Sequence, residues 1–243
     1  MIIKNTKKNI INLKRREDRK LLSKKEMEYM GWGNYEFFEA IDTNSYEGCG
    51  YSHMAIAKKL LDSNEEYIIV FEDDILFMPW AKEYLEKVEK SLQNTSFDIF
   101  NFAPSIHRPL ESSENPLIKL HDCPPKDPNK HRGIFGTSGI IYNRKVAEMV
   151  IKWDTDELIK NIHKTAAIDE FFDSVIYPVT KSYCPRFPIL SQRKDYSDIN
   201  KTIDNNLYLC LYQWNSYISK LPINTYEIEY IMELRDNNKT FNL

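Results

Sequence analysis

Glycine is scarce, with seven residues in 243, and none falls in a G-x-G-x-x-G or G-x-x-x-x-G-K pattern. Neither common glycine-rich phosphate loop is therefore present, and a phosphate ligand would have to be met by a cation or by basic side chains. Cysteine is sparse too. Cys49, Cys123, Cys184 and Cys210 lie far apart with no CxxC pair, which disfavours a zinc site and leaves reduced, mostly buried thiols as the expectation. No window approaches the length of a membrane span. The opening residues carry Lys4, Lys7 and Lys8 and lack the apolar core of a signal peptide, so a soluble, cytoplasmic protein is expected. Nor is there an excess of one charge: the net value of −3 argues against a dedicated nucleic-acid binder. A charged fraction of 28% and a hydrophobic fraction of 42% are ordinary for a soluble globular chain long enough to bury a sizeable core.

What the chain does have is a run from Tyr67 to Phe77 in which Ile68-Ile69-Val70-Phe71 leads straight into Glu72-Asp73-Asp74. The apolar part reads as a buried strand of a parallel sheet. Three adjacent anions repel one another and resist desolvation, so they add nothing structural at a strand end. A divalent cation would remove that repulsion. Side chains alternate faces along extended backbone, so Glu72 and Asp74 can point to one side while Asp73 points away, giving two hard oxygen ligands suited to Mg²⁺ or Mn²⁺ and a phosphorylated ligand. The plainer alternative is a solvated acidic turn capping the next helix.

Ile10 to Leu13 reads as a first strand, followed by a helix over 17–30 that Gly31-Trp32-Gly33-Asn34 stops, and by a strand from Tyr35 to Ile41. Strand, helix, strand argues for a parallel unit with its site at the strand carboxyl ends. Between the first strand and the helix lie Arg15, Arg16 and Arg19, either a solvated face or, because guanidinium grips phosphate with two bonds, a seat for a diphosphate. Gly48 and Gly50 are expected to form a tight turn, with Ser52 capping a helix through Leu61. Pro79 opens a helix bearing Trp80, Tyr84, Leu85, Val88 and Leu92. Phe97 to Phe102 reads as a strand, and 103–132 as a long surface loop; its His107, His121, Cys123 and His131 fit no common zinc spacing. Gly136-Thr137-Ser138-Gly139 leads into another strand through Tyr142, leaving room for a ligand or a backbone to approach. A helix over 145–153 follows. Asp169 and Glu170 sit between apolar residues, where half-buried acids act as bases or cap a helix. No repeat or linker is visible. Residues 1–200 are expected to form one domain, with 201–243 as an extension docked through Leu207, Leu211, Trp214 and Ile218.

Taken in order, these blocks resemble glycosyltransferase family 25, which includes bacterial lipopolysaccharide sugar transferases and collagen galactosyltransferase domains. The resemblance rests on Ile11-Asn12-Leu13-Lys14-Arg15-Arg16-Glu17-Asp18-Arg19, on Gly48-Cys49 with Ser52-His53, on Phe71-Glu72-Asp73-Asp74, on Gly139 to Tyr142, on Ile168-Asp169-Glu170-Phe171, and on Gln192 with Ser197-Asp198-Ile199. It implies an α/β, GT-A-type, Rossmann-like domain with a mostly parallel central sheet. It also implies an inverting transfer of a hexose from a UDP-sugar, UDP-glucose or UDP-galactose, to a glycan or hydroxyl acceptor, with Mn²⁺ or Mg²⁺. By that similarity Asp74 and Glu72 hold the metal, while Asp73, Asn12, Arg15, Arg16, Arg19, Ser138 and Gln192 contact the donor. Asp169, with Glu170 beside it, then serves as the base, and Ser52 and His53 brace the acidic strand. Two rivals are an inactive glycan-binding or scaffold relative and a metal-dependent phosphohydrolase. The second usually needs more metal ligands, such as His-x-Asp clusters, which are absent here.

Overall fold

Strand β1 (Lys8–Asn12) is buried along its whole length, between two parallel neighbours, β2 (Tyr35–Glu39) and β3 (Tyr67–Glu72). Ile10 lies opposite Phe37 on one side and Phe71 on the other. The computed structural model describes residues 2–107, 110, 115–121, 133–153, 167–198, 201–204, 206–217 and 232. Within β3 the stretch Ile68 to Phe71 is buried, as a strand covered on both faces must be. The sheet continues through β9 (Gly139–Asn143), β5 (Ile99–Asn101), β10 (Ser182–Pro185) and β7 (Leu117–Lys119), in the order β2-β1-β3-β9-β5-β10-β7. Only β9 and β7 run against the others. Five of the seven strands share a direction, so the sheet is the mostly parallel, Rossmann-like one expected. Three small antiparallel pairs edge it: β4 (Ile75–Phe77) with β11 (Leu190–Gln192), β6 (Ser105–Ile106) with β8 (Ile134–Phe135), and β12 (Asp195–Tyr196) with β13 (Ile203–Asp204).

The helices are α1 (Ile2–Asn5), α2 (Glu17–Met30), α3 (Glu47–Leu61), α4 (Ala81–Gln93), α5 (Arg144–Val150), α6 (Ile168–Phe171) and α7 (Asn206–Tyr217). Helix α2 packs on β1 and β4, and α3 on β3 and α5. Gly31, at φ 68°, ends α2 in the left-handed conformation that glycine tolerates without penalty. At the start of α5 the Asn143 side chain accepts a bond from the Val146 amide. The buried positions of α4 include Tyr84, Leu85, Val88 and Leu92, one face at helical spacing. Trp32, Phe71, Phe77 and Phe102 form an aromatic cluster with ring centroids 5.3–5.9 Å apart.

Two local expectations fail. Gly48 and Gly50 do not form a turn, and Ser52 does not cap; all three lie inside α3, which starts at Glu47. A Cβ on Gly48 would stand 2.3 Å from the Ile41 carbonyl oxygen, and one on Gly50 would meet the Trp153 ring at 2.2 Å. These glycines permit close packing rather than a reversal. Ser52 donates to the Gly48 carbonyl and accepts from the Ile41 amide, tying α3 to the segment after β2. The gap left by Gly139 is likewise filled from within, by Leu190 and Phe71. The expected long loop carries β6 and β7; its residues 108–109, 111–114 and 122–132, Cys123 and His131 among them, lie outside the described residues. Of the C-terminal extension, α7 buries Leu211 and Trp214 and bonds Trp214 Nε1 to the Arg186 carbonyl; the Leu207 side chain and Ile218 are outside the described set.

Candidate active site

Strand β3 ends at Glu72, and Asp73-Asp74 make a two-residue turn into β4. The three acids are therefore not an extended run with alternating faces, and each finds a different environment. Glu72 Oε1 accepts the Thr137 hydroxyl at 2.7 Å, while its backbone N–H donates to the Ser138 carbonyl. The Cys49 thiol and His53 Nε2 each lie 3.9 Å from the same carboxylate oxygen. Asp73 accepts from Asn12 Nδ2 at 2.6 Å and from Arg19 Nη1 at 3.0 Å. The Asp73 carbonyl takes the Ser23 hydroxyl, and that of Asp74 takes the Arg193 amide, which pins the turn from α2 and from the segment after β11. Asp74 has the poorest partners. Its Oδ1 is buried with no hydrogen bond, and Arg19 stands 3.6 Å from its Oδ2.

The charges follow from these surroundings. Burial, then the neighbouring Glu72 charge, pushes the Asp74 carboxyl up to about 8. Burial also raises Asp73, although Arg19 and Asn12 pull against it. Burial opposes the Glu72 charge as well, but His53, the Thr137 hydroxyl and Arg19 outweigh it and hold this carboxyl below its usual range. The two coupled acids are thus pushed in opposite directions, Glu72 down and Asp74 up.

A cavity of about 710 Å³ opens over this turn. Glu72, Asp73, Asp74, Arg15, Arg19, Gln192, Asp169 and Glu170 all line it, so eight of the eleven residues expected at the site converge from blocks far apart in sequence. Asp169 stands at the N-terminal turn of α6, where its carboxylate accepts the Glu170 amide at 2.9 Å and approaches the Gly136 amide at 3.4 Å. Burial and the Glu72 charge raise its pKa against those two donors.

Three expected residues do not line the cavity. Asn12 lies behind Asp73 and also bonds the Arg16 carbonyl. Ser138 is buried and serves through its carbonyl. Arg16 is held by Asp18, by Asp195 and Asp198 at 2.6 Å each, and by the Tyr196 carbonyl. It fastens the 195–198 segment to the start of α2. Arg15 pairs with Asp42 and Asp198, and Arg19 also bonds Asp195. Arg16 and Arg19 are thus largely covered and clamped by acids from far along the chain, while Arg15, paired with Asp42 and Asp198, stays exposed. Thr137, Cys49, Asp42 and Asp195 were not among the expected site residues. Thr137 lies in a stretch noted only for its small side chains, and the hydroxyl is what signals its bond to Glu72.

Glycosyltransferase family 25 (LPS biosynthesis protein) is the family whose model matches residues 43–171, more than half of the chain. A protein of Acanthamoeba polyphaga mimivirus described as "Putative glycosyltransferase R655" is 32% identical over 114 residues, covering 37% of this chain and 35% of that one. The chain spans about a third of the length of this curated relative. Among solved structures, a glycosyltransferase involved in the glycosylation of the major capsid of PBCV-1 aligns over 94% of this chain and 99% of its own, with 10% identity and a TM-score of 0.45. HddC from Yersinia pseudotuberculosis aligns over 75% of this chain and 70% of its own, with 10% identity and a TM-score of 0.36. Likenesses this distant carry no argument about the site.

Proposed function

Because the chain belongs to glycosyltransferase family 25, we propose that it transfers a hexose from a UDP-sugar, UDP-glucose or UDP-galactose, to a glycan or other hydroxyl acceptor, with inversion at the anomeric carbon. The observation that carries this reading is the single cavity in which an acidic turn, two arginines and a second pair of acids face one another. A Rossmann-like sheet takes its ligand at the carboxyl ends of its strands, and β1 and β3 both end beside this cavity.

The residues present fit a divalent cation. Asp74 offers a buried, unpartnered oxygen, and the neighbouring Glu72 charge repels the charge that Asp74 would carry. Asp74 and Glu72 would hold Mn²⁺ or Mg²⁺, both of which favour oxygen ligands. Bound there, the ion supplies positive charge for the departing diphosphate. Arg15 and Arg19 line the cavity and are the guanidiniums that meet the donor phosphates, exchanging a carboxylate for a phosphate oxygen. Arg16 and Asn12 act one layer back, holding the 195–198 segment and Asp73 in place. Gln192, on β11, hydrogen-bonds the donor from the same rim.

Direct displacement needs a base opposite the leaving group to take the acceptor hydroxyl proton. Asp169 has that role. The N–H groups of Gly136 and Glu170 orient its carboxylate, and its raised pKa brings it nearer the working pH of a base. Glu170 is the neighbouring candidate.

Thermal melting with UDP, with and without Mn²⁺, tests the binding half of the proposal, since a ligand specific for the native state raises the melting temperature by mass action. A metal-dependent rise is expected. Binding of glycans without any response to UDP or Mn²⁺ would instead mark a scaffold protein. For the chemical half, Asp169→Asn should lower kcat by about 10²–10⁴-fold while UDP affinity is retained. Near-normal transfer by both Asp169→Asn and Glu170→Gln would remove these acids from the mechanism.

A further inference from the structure

We propose that Cys49, His53 and Glu72 form a second cation centre, one for a borderline-soft transition metal of the zinc class. The centre goes beyond the donor-binding role proposed above, because it requires no nucleotide. Its new members are Cys49 and His53, which occupy positions i and i+4 of α3 and so present their side chains from one helical face. Glu72 comes from the end of β3, against which α3 packs.

The donor atoms of these three side chains all lie within 4.8 Å of one another. Around a tetrahedral zinc ion, with bonds of about 2.3 Å to sulfur and about 2.0–2.2 Å to nitrogen and oxygen, neighbouring donor atoms stand about 3.4–3.6 Å apart. The Cys49 sulfur and His53 Nε2 are each 3.9 Å from Glu72 Oε1. Closing on an ion therefore takes shifts of a few tenths of an ångström at the two contacts with Glu72, and at most about 1.2–1.4 Å between Cys49 and His53.

An independent observation points to a ligand. His53 is fully buried, and neither ring nitrogen has an acceptor or donor within hydrogen-bond distance, the Glu72 oxygen that faces Nε2 standing too far off at 3.9 Å. Buried polar groups are almost always paired, because an unpaired one carries its full desolvation cost. On another side of the ring lies Phe172, at 6.4 Å between centroids, which offers no acceptor. A metal bound at Nε2 supplies a partner for that nitrogen. The Thr137 hydroxyl already orients Glu72 Oε1 from outside the cluster, as partners of a metal-binding carboxylate do. Cys49 and Glu72 line the cavity, which gives the ion an entry path.

The chemistry selects the metal. Thiolate and imidazole favour Zn²⁺ and Co²⁺ over Mg²⁺ and Mn²⁺, whose preferred ligands are the oxygens of Asp74 and its neighbours. On binding, the Cys49 S–H bond breaks, the sulfur lone pair joins the metal, and the proton passes to the buffer.

The test uses the full chain, freed of metal by chelation and titrated with Co²⁺ in the absence of nucleotide. A thiolate-to-cobalt charge-transfer band is expected, saturating near one equivalent, with release of about one proton and displacement by Zn²⁺. Cys49→Ser, which is nearly isosteric, should abolish the band. His53→Gln should weaken Co²⁺ binding by about tenfold or more, and Asp74→Asn should leave the band in place. Melting curves of the metal-free variants show whether each is folded. Absence of the band in the folded wild-type protein, or its persistence in Cys49→Ser, overturns the proposal. The donor reading stands or falls separately, on the response to Mn²⁺ and UDP.

Discussion

Asp74 is a buried carboxyl whose charge the folded protein disfavours. Its carboxyl is raised from an ordinary 3.8 to about 8, so between those values the native state holds a proton that the unfolded chain has released. The stability tied to this group is then complete below the ordinary carboxylate range and declines as pH rises toward 8. Asp74→Asn should flatten that decline and raise the metal-free melting temperature at pH 7.5 by about 2–4 °C for each kcal/mol of relieved repulsion. The same substitution should erase the Mn²⁺-dependent response to UDP. Melting curves at pH 5 and pH 7.5, with and without ions, read both outcomes. Gly50 makes the opposite kind of demand. Its missing Cβ is the space that Trp153 occupies, so Gly50→Ala should destabilise by about 1–3 kcal/mol through overpacking, seen as a melting temperature about 2–12 °C lower.

Among the elements, Asp98 is the joint between several. It accepts from Asn143 at the end of β9, from Lys145 in α5, and from the Lys181 amide just before β10. Burial works against its charge, but the Lys145 side chain, with the Lys181 amide and Asn143 after it, holds its pKa below the ordinary 3.8. A depressed carboxyl adds stability above the unfolded value and loses it as pH falls through the native one. Asp98→Asn should therefore shallow the acid limb of the melting profile below about pH 4, with little effect on the cavity. Most elements could be read from the sequence because their cues are local. The apolar run of β3 and the face of α4 are examples, as is Gly31 closing α2. The start of α3 could not be read, because Gly48 and Gly50 look like breakers until the Ile41 carbonyl and the Trp153 ring are in place. Those contacts exist only in three dimensions. The acidic turn is hidden in the sequence for a related reason: alternation holds for extended backbone, and Asp73-Asp74 bend into β4.

At the scale of the whole molecule, the site is assembled from both ends of the domain. Arg15, Arg16 and Arg19 meet Asp195 and Asp198 across more than 170 positions of sequence. Which residues would gather was legible as a list of acidic, basic and small-residue blocks, and eight of the eleven line one cavity. Their layering was not legible, since no periodicity distinguishes Arg16, held by Asp18, Asp195 and Asp198 away from the cavity, from Arg19, which lines it. The reversed strand β9 has the widest consequence. Because it runs against β3, its entry at Gly136–Gly139 reaches the rim that β3 leaves, and there Thr137 grips Glu72 while the Ser138 carbonyl takes the Glu72 N–H. The floor of the cavity is thus held to the middle of the sheet by ladder and side-chain bonds. Deuterium labelling should find the backbone amides of Val70 to Glu72 and Ile140 among the last to exchange, at the rate of global unfolding, while those of the 195–198 segment exchange far sooner.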